Sequence, residues 1–158
     1  MKIGEAGETG ETEEIGETEE TGEAGEAGEI GEKYKLKLKY MKSYKRFEDL
    51  EIWKEGMDIC KEIYILLNDC KDYGLKDQMQ RASVSIPSNI AEGYERNGLK
   101  EKQQYMFIAK ASCGEIRTQL YLAVFLNYID PEKGNILINR VSKLSIMIYN
   151  YIQFINKQ

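Results

Sequence analysis

Between Leu50 and Ile155 apolar residues recur in alternating steps of three and four through four successive runs, a spacing that places them on one face of a helix and leaves little room for strands. In the first run Leu50, Trp53, Met57, Cys60, Tyr64 and Leu67 form one stripe, and Ile52, Gly56, Ile59, Ile63, Leu66 and Cys70 form a second beside it. Two adjacent stripes predict a wide buried face. A helix that packs into a bundle and also meets a neighbouring subunit needs that width, and so does a helix placed centrally in a monomer.

The remaining runs are punctuated by turn and cap residues. Asp72, Tyr73 and Gly74 predict a turn, followed by a helix from Leu75 carrying Met79, Ala82, Ile86 and Ile90 and ending between Gly93 and Asn97. Pro87 falls inside it, where the missing N–H and the bulk of the ring predict a kink. An interior proline costs about 3 kcal/mol, so the bend implies a packing use. The third helix is expected to start after Asn97 or Gly98 and to run to about Asn127. One of its faces is Met106, Ala109, Cys113, Ile116, Leu120 and Ala123, and the adjoining face is Tyr105, Ile108, Ser112, Glu115, Gln119, Leu122 and Leu126. Asp130 suits an N-cap, Pro131 the first helical position and Glu132 the positive end of the dipole of a fourth helix. Its stripe is Leu137, Val141, Leu144, Ile148, Tyr151 and Ile155. Short connections make consecutive helices antiparallel neighbours. The expected fold is therefore all-α, an antiparallel up-down four-helix bundle with a kinked second helix.

The first 40 residues are of another kind. Residues 4–32 repeat a three-residue unit without loss of phase: Gly or Glu, then Glu, then Ala, Thr or Ile. Gly and Glu codons can differ by one base, as can Thr and Ala or Thr and Ile codons, so the tract reads as a nine-base DNA repeat with point changes. Residues 1–40 hold 12 acids against 5 lysines, whereas residues 41–158 hold 17 bases against 15 acids. The acidic balance thus belongs to the tail. A Gly/Glu segment has too little apolar surface to offset the entropy of ordering, and disorder is expected. Residues 33–40 alternate Lys with Tyr or Leu and read as a basic arm, an extended linker or a leader translated in frame. Met41 reads as the working start, which divides the chain into a low-complexity tail, 1–40, and a bundle, 41–158.

Several classes of chemistry drop out. The chain has no histidine, which removes His-based triads, His metal sites and imidazole acid/base catalysis. Cys60, Cys70 and Cys113 are too few and too widely spaced for a paired disulfide framework or a thiolate metal site, and are expected as buried thiols. There is no nucleotide-binding glycine loop. From residue 33 onward no apolar stretch approaches the roughly 20 residues of a membrane span, and none reads as a signal peptide. A non-enzymatic protein of bacterial-type cytoplasm, with no cofactor, no metal and no membrane partner, is expected.

Two residue sets invite function. Ser85, Asn89 and Glu92 share one helical face, as do Ser112, Glu115 and Gln119, so two polar stripes are placed to meet inside the bundle. Buried groups of this kind cost several kcal/mol unless paired. A hydrogen-bonded network that fixes helix register is the structural reading, with Arg81 or Arg117 as counter-charge; a ligand or catalytic carboxylate pair, Glu92 with Glu115, is the chemical one. The second set is basic: Arg81, Lys110, Arg117, Arg140 and Lys143 are the candidate nucleic-acid contacts, and ordinary solvated helix faces would look the same. The tyrosines lie mainly on apolar stripes and are expected in the core rather than stacked on bases.

The ordered series from Phe47-Glu48-Asp49-Leu50 and Trp53-Lys54, through Tyr73-Gly74-Leu75, Gln78, Arg81 and Ser85-Ile86-Pro87-Ser88-Asn89-Ile90-Ala91-Glu92-Gly93, to Ile108-Ala109, Ser112, Glu115 and Thr118-Gln119-Leu120 resembles a bacterial four-helix-bundle family. That family includes the large-subunit ribosomal RNA intervening-sequence proteins, and the likeness covers residues 44–157. The resemblance implies a bundle that assembles into a ring, commonly a homopentamer, with no established enzymatic activity. A related branch, the accessory variability proteins of diversity-generating retroelements, uses a basic pentameric ring to engage nucleic acid and a reverse transcriptase. RNA or DNA, or another protein, are the partners so implied. The sequence departs from the family pattern at Lys76, where Ser or Thr is usual and a cap is weakened. It departs again at Gln80, where an arginine usually precedes Arg81, and at Ala111, where glycine is usual and a close helix approach is tightened. The functional expectation is a self-associating bundle that binds structured RNA or DNA through backbone charge, with a protein-interaction or structural adaptor as the alternative.

Overall fold

The computed structural model describes residues 46–157, and the expectations for the tail, including residues 1–40 and a start at Met41, lie outside them. A 3₁₀ turn, Phe47–Asp49, leads into four helices: α1 (Glu51–Leu66), α2 (Tyr73–Glu95), α3 (Leu99–Phe125) and α4 (Pro131–Ile155). There is no strand among the described residues. Each helix packs on the next and α4 closes back on α1, so α1 and α3 occupy opposite corners of the bundle.

The helix ends follow from their capping chemistry. Asp72 caps α2 by accepting from the Leu75 amide at 3.0 Å, so the helix opens at Tyr73, two residues earlier than expected. The cap therefore does not depend on position 76. Lys76 instead donates its ammonium to the Asn68 carbonyl at 3.0 Å, tying the start of α2 to the turn that follows α1. Asn127 ends α3 in the left-handed region at φ 57°, and the Asn127 and Tyr128 amides return to the carbonyls of Val124 at 3.0 Å and Ala123 at 2.9 Å. This is the paired closure that a residue past a helix C-terminus supplies when it turns left-handed. Asp130 accepts from the Glu132 and Lys133 amides at 3.0 and 3.1 Å, with Pro131 in the first turn as expected.

Side chains at the predicted stripes of α2, α3 and α4 form the core. Met79, Ile86, Ile90, Met106, Cys113, Ile116, Leu120, Val141, Leu144 and Ile148 are all fully inaccessible. Each buried large aliphatic side chain contributes about 1.5–3 kcal/mol. On α1 the second stripe, Ile52, Gly56, Ile59 and Ile63, is the one that turns inward. The first stripe is buried only at its ends, Leu50 and Leu67, while Met57 and Tyr64 are exposed and Trp53 and Cys60 half-buried. The wide buried face predicted for α1 is therefore narrow within a single chain. Pro87 lies inside α2, whose helical course runs unbroken through it, and is buried where Gly56 brings α1 close. A Cβ on Gly56 would stand 3.3 Å from Ile86 and 3.6 Å from Pro87.

Gly134 makes the closest approach, between α3 and α4. A Cβ there would fall 2.3 Å from Val124 Cγ2, a distance that real atoms do not tolerate. The expected core role of the tyrosines holds in part: Tyr94 and Tyr151 are half-buried against the core, whereas Tyr64, Tyr73, Tyr121, Tyr128 and Tyr149 are exposed. Of the cysteines Cys113 alone is fully buried, Cys60 and Cys70 being half-buried; all three are free thiols.

Candidate functional site

The seam between α2 and α3 carries the polar stripes, and it brings three of the six predicted residues into one relay. Ser112 donates its hydroxyl to the Ile108 carbonyl at 3.1 Å. That leaves Ser85 as the donor in the 2.9 Å contact between the two hydroxyls. Ser85 Oγ in turn accepts from Asn89 Nδ2 at 2.9 Å, and the second Asn89 hydrogen goes to the Ser85 carbonyl at 2.7 Å. Donors and acceptors thus run in one direction, from amide to hydroxyl to hydroxyl to backbone, with no proton left over. Such a chain ties α2 to α3 through paired hydroxyls.

The other three members stand apart from the relay. Gln119 donates to Glu115 Oε1 at 3.2 Å along α3. Its own Oε1 is buried without a donor, in a residue only 7% exposed. Glu92 is engaged with Arg96, whose guanidinium also donates to the Tyr105 hydroxyl at 3.1 Å and lies 5.0 Å over the Tyr105 ring. Hydrogen bonding from Arg96, and then from Tyr105, holds the Glu92 carboxyl below the usual carboxylate range. A carboxylate kept ionised in this way is poorly suited to share a proton with a second acid. The Glu92–Glu115 catalytic pair considered from sequence is therefore not what the hydrogen bonding assembles. Gly93 permits this corner, since a Cβ on it would sit 3.0 Å from Tyr105 and 3.1 Å from the Lys102 carbonyl.

The basic residues separate into two groups. Arg81 pairs with Asp77 at 2.8 Å on the exposed side of α2. Arg140 lies between Glu55, at 2.8 Å, and Glu62, bracing α4 against α1. Hydrogen bonding from Glu55 is the main reason its guanidinium holds its proton more tightly than usual, with Glu62 adding to it against a desolvation cost. Both arginines thus have their charge compensated within the chain. Neither Arg81 nor Arg117 serves as the expected counter-charge to the polar stripes. Lys110, Arg117 and Lys143 enter none of the ion pairs among the described residues. Lys110 and Arg117 share a stripe with Val124, the residue that meets Gly134, and so lie on the α4 side of α3; the Nε of Arg117 is buried without an acceptor. Between them Cys113 is pushed up to about 12 by burial, opposed weakly by the charges of Arg117 and Lys110, so its thiol is protonated and unreactive. The outward position of Ala111 corrects one further expectation: it is exposed on α3 and not at a close approach within the bundle.

Among the described residues no group of His, Cys, Asp and Glu could hold a metal ion. No described helix is long and apolar enough to cross a membrane.

The family model described as 23S rRNA-intervening sequence protein matches residues 48–150. The chain belongs to this family. All four helices of the bundle and the whole α2–α3 seam lie within or overlap the matched span. A crystal structure of a protein with unknown function from the S23 ribosomal protein family of Bacteroides thetaiotaomicron VPI-5482 has the same fold. The two share 20% identity over 64% of this chain and 97% of that one, with a TM-score of 0.61. No curated protein matches the chain.

Sequence reasoning did not find Arg140 as a brace between helices, because Glu55 and Glu62 lie 85 and 78 residues away along the chain. The only local signal was that Glu55 and Glu62 stand seven apart on one face of α1.

Proposed function

We propose that this protein is a non-enzymatic bundle whose working form is an assembly of several copies, the ring of five implied by the family resemblance being the expected number. One observation carries this reading: α3 exposes large apolar side chains on its outside as well as burying them on its inside. Phe107, Tyr121 and Leu122 are about half exposed and Phe125 is 81% exposed, all on the helix that also supplies the middle of the core. Contiguous apolar surface of this kind marks an interaction site. The expected result of light scattering on the native chain is a mass several times that of one chain. A single-chain mass at all accessible concentrations would overturn the reading.

Nucleic-acid binding is the second reading, and the uncompensated charges of Lys110, Arg117 and Lys143 favour it. Arg81 and Arg140, already neutralised by carboxylates, are not part of it. Fluorescence anisotropy with structured RNA and duplex DNA across a salt series tests it. Phosphate contacts would show as affinity falling steeply with salt and weakening in Lys143→Ala, since each contact releases about one counterion. Absence of binding at low salt would leave a structural or protein-adaptor role.

A further inference from the structure

The inner face of α3 follows a heptad pattern, Met106, Ala109, Cys113, Ile116, Leu120, Ala123. Its outer face carries a second one, Phe107, Ala111, Gly114, Thr118, Tyr121, Phe125, in steps of four, three, four, three and four, and every one of these six residues is exposed. A shallow open depression bounded by Gln104, Phe107, Ile108 and Ala111 lies along the same face. Repeated three-four spacing on a face that is exposed among the described residues is the pattern of a coiled-coil seam.

The charges beside the seam say what covers it. If the outer residues occupy the a and d positions, Lys110 and Arg117 take g positions on one flank, and Ile108, Glu115 and Leu122 take e positions on the other. Lys110 enters none of the ion pairs among the described residues. Glu115 is exposed and is held from one side by Gln119 alone. In a parallel pair of helices a g residue faces the e residue of the next heptad on its neighbour, which sets Lys110 against Glu115. An antiparallel pair would set g against g, bringing Lys110 and Arg117 of two copies together, like charge to like. The seam is therefore complementary to a second copy of itself, in parallel.

We infer that α3 of this protein packs in parallel against α3 of neighbouring copies, at the axis of a closed ring, through Phe107, Ala111, Gly114, Thr118, Tyr121 and Phe125, with Lys110 of each copy paired to Glu115 of the next. The inference rests on the self-association reading and adds its surface and polarity. Its geometry is that of a cyclic assembly, where each copy offers a different flank to each neighbour. The flank bearing Glu115 and Gln119 adjoins α2 and the flank bearing Lys110 and Arg117 adjoins α4, so α3 is the corner between the two contacting faces and points to the axis. The small residues at the middle of the seam let several helices approach one another there, while the aromatic residues close its ends.

The test uses the native full chain and three variants, with mass by light scattering and helicity by circular dichroism. A Cβ at Gly114 meets nothing within 4 Å, so Gly114→Glu leaves the single chain's packing untouched while placing a charge in the seam. It is expected to keep native helicity and to weaken assembly about a hundredfold or more, as unpaired like charges at an interface core do. Lys110→Glu and Glu115→Lys are each expected to weaken assembly about tenfold, and the double exchange to restore most of it. A native chain that assembles while Gly114→Glu assembles equally well, or a double exchange that restores nothing, would overturn this surface and leave self-association standing. A native chain that is a monomer would overturn both.

Discussion

The two faces of α3 have the same spacing and opposite surroundings. Inside, Met106, Ala109, Cys113, Ile116, Leu120 and Ala123 are buried in the core; outside, Phe107, Ala111, Gly114, Thr118, Tyr121 and Phe125 stay exposed among the described residues. Periodicity establishes that a face is built for packing, whereas the identity of the packing partner depends on which neighbours the rest of the chain supplies. Inside, stability of the fold depends on the residues. Outside, it should not, and assembly should depend on them instead.

Truncation separates the faces most strongly. Ile116→Ala removes a fully inaccessible side chain from the middle of the inner face and should destabilise the fold by about 2–5 kcal/mol, the range for aliphatic-to-alanine changes in cores. Tyr121→Ala, on the outer face, should change the stability of the dissociated chain by no more than about 0.5 kcal/mol. Denaturant unfolding at high dilution measures both. Equal losses would mean that the outer face is not free in the single chain.

Alkaline unfolding gives the next contrast, because the inner face of α3 carries a buried thiol and the outer face does not. Burial raises Cys113 to about 12, so in the unfolded chain the thiol ionises at lower pH than in the folded one. The unfolded state then binds fewer protons, and stability falls with rising pH from the ordinary thiol range to about 12, by up to about 1.4 kcal/mol per unit. Burial likewise raises Tyr151 to about 12 and adds to the fall at the upper end. Cys113→Ala should therefore flatten the early part of the decline and leave the later part. An unchanged pH profile would show that the thiol is not sealed.

How much of this was legible in the sequence depends on whether the deciding partner is near in the chain. The inner stripes of α2, α3 and α4, the Asp130 cap and the Ser85, Asn89 and Ser112 contact follow from spacing, since residues three, four and seven apart must share a face. The α1 stripes were equally regular, yet Ile59 and Ile63 turned in while Met57 and Tyr64 turned out. The inward stripe is the one that carries Gly56, where a Cβ would stand 3.3 Å from Ile86 of α2. The role of Arg140 was hidden for a related reason, as its carboxylates sit on a helix distant in sequence. Glu92 shared a face with Ser85 and Asn89, but Arg96, one turn on, drew it away from the relay.

The boundary between the two faces should respond by an intermediate amount. Ser112→Ala removes the acceptor of the Ser85 hydroxyl and the donor to the Ile108 carbonyl, and should destabilise the fold by about 1 kcal/mol. Ser85→Ala combined with Ser112→Ala should cost less than the two single changes added, because neither hydroxyl is then left with a missing partner. Strict additivity in denaturant midpoints would mean that the hydroxyls act separately and that no relay runs between α2 and α3.

The smallest effect falls at Gly114, and its sign is the informative part. Glycine inside an exposed helix is less favourable than alanine by about 0.8–1.0 kcal/mol, and the open space around this position offers no clash to offset that difference. Gly114→Ala should therefore raise the stability of the dissociated chain by up to about 1 kcal/mol. If α3 helices meet at this residue across copies, the added methyl widens their approach, and assembly should weaken while the single chain gains. A gain in both would place Gly114 in solvent and confine the contact between copies to other parts of the molecule.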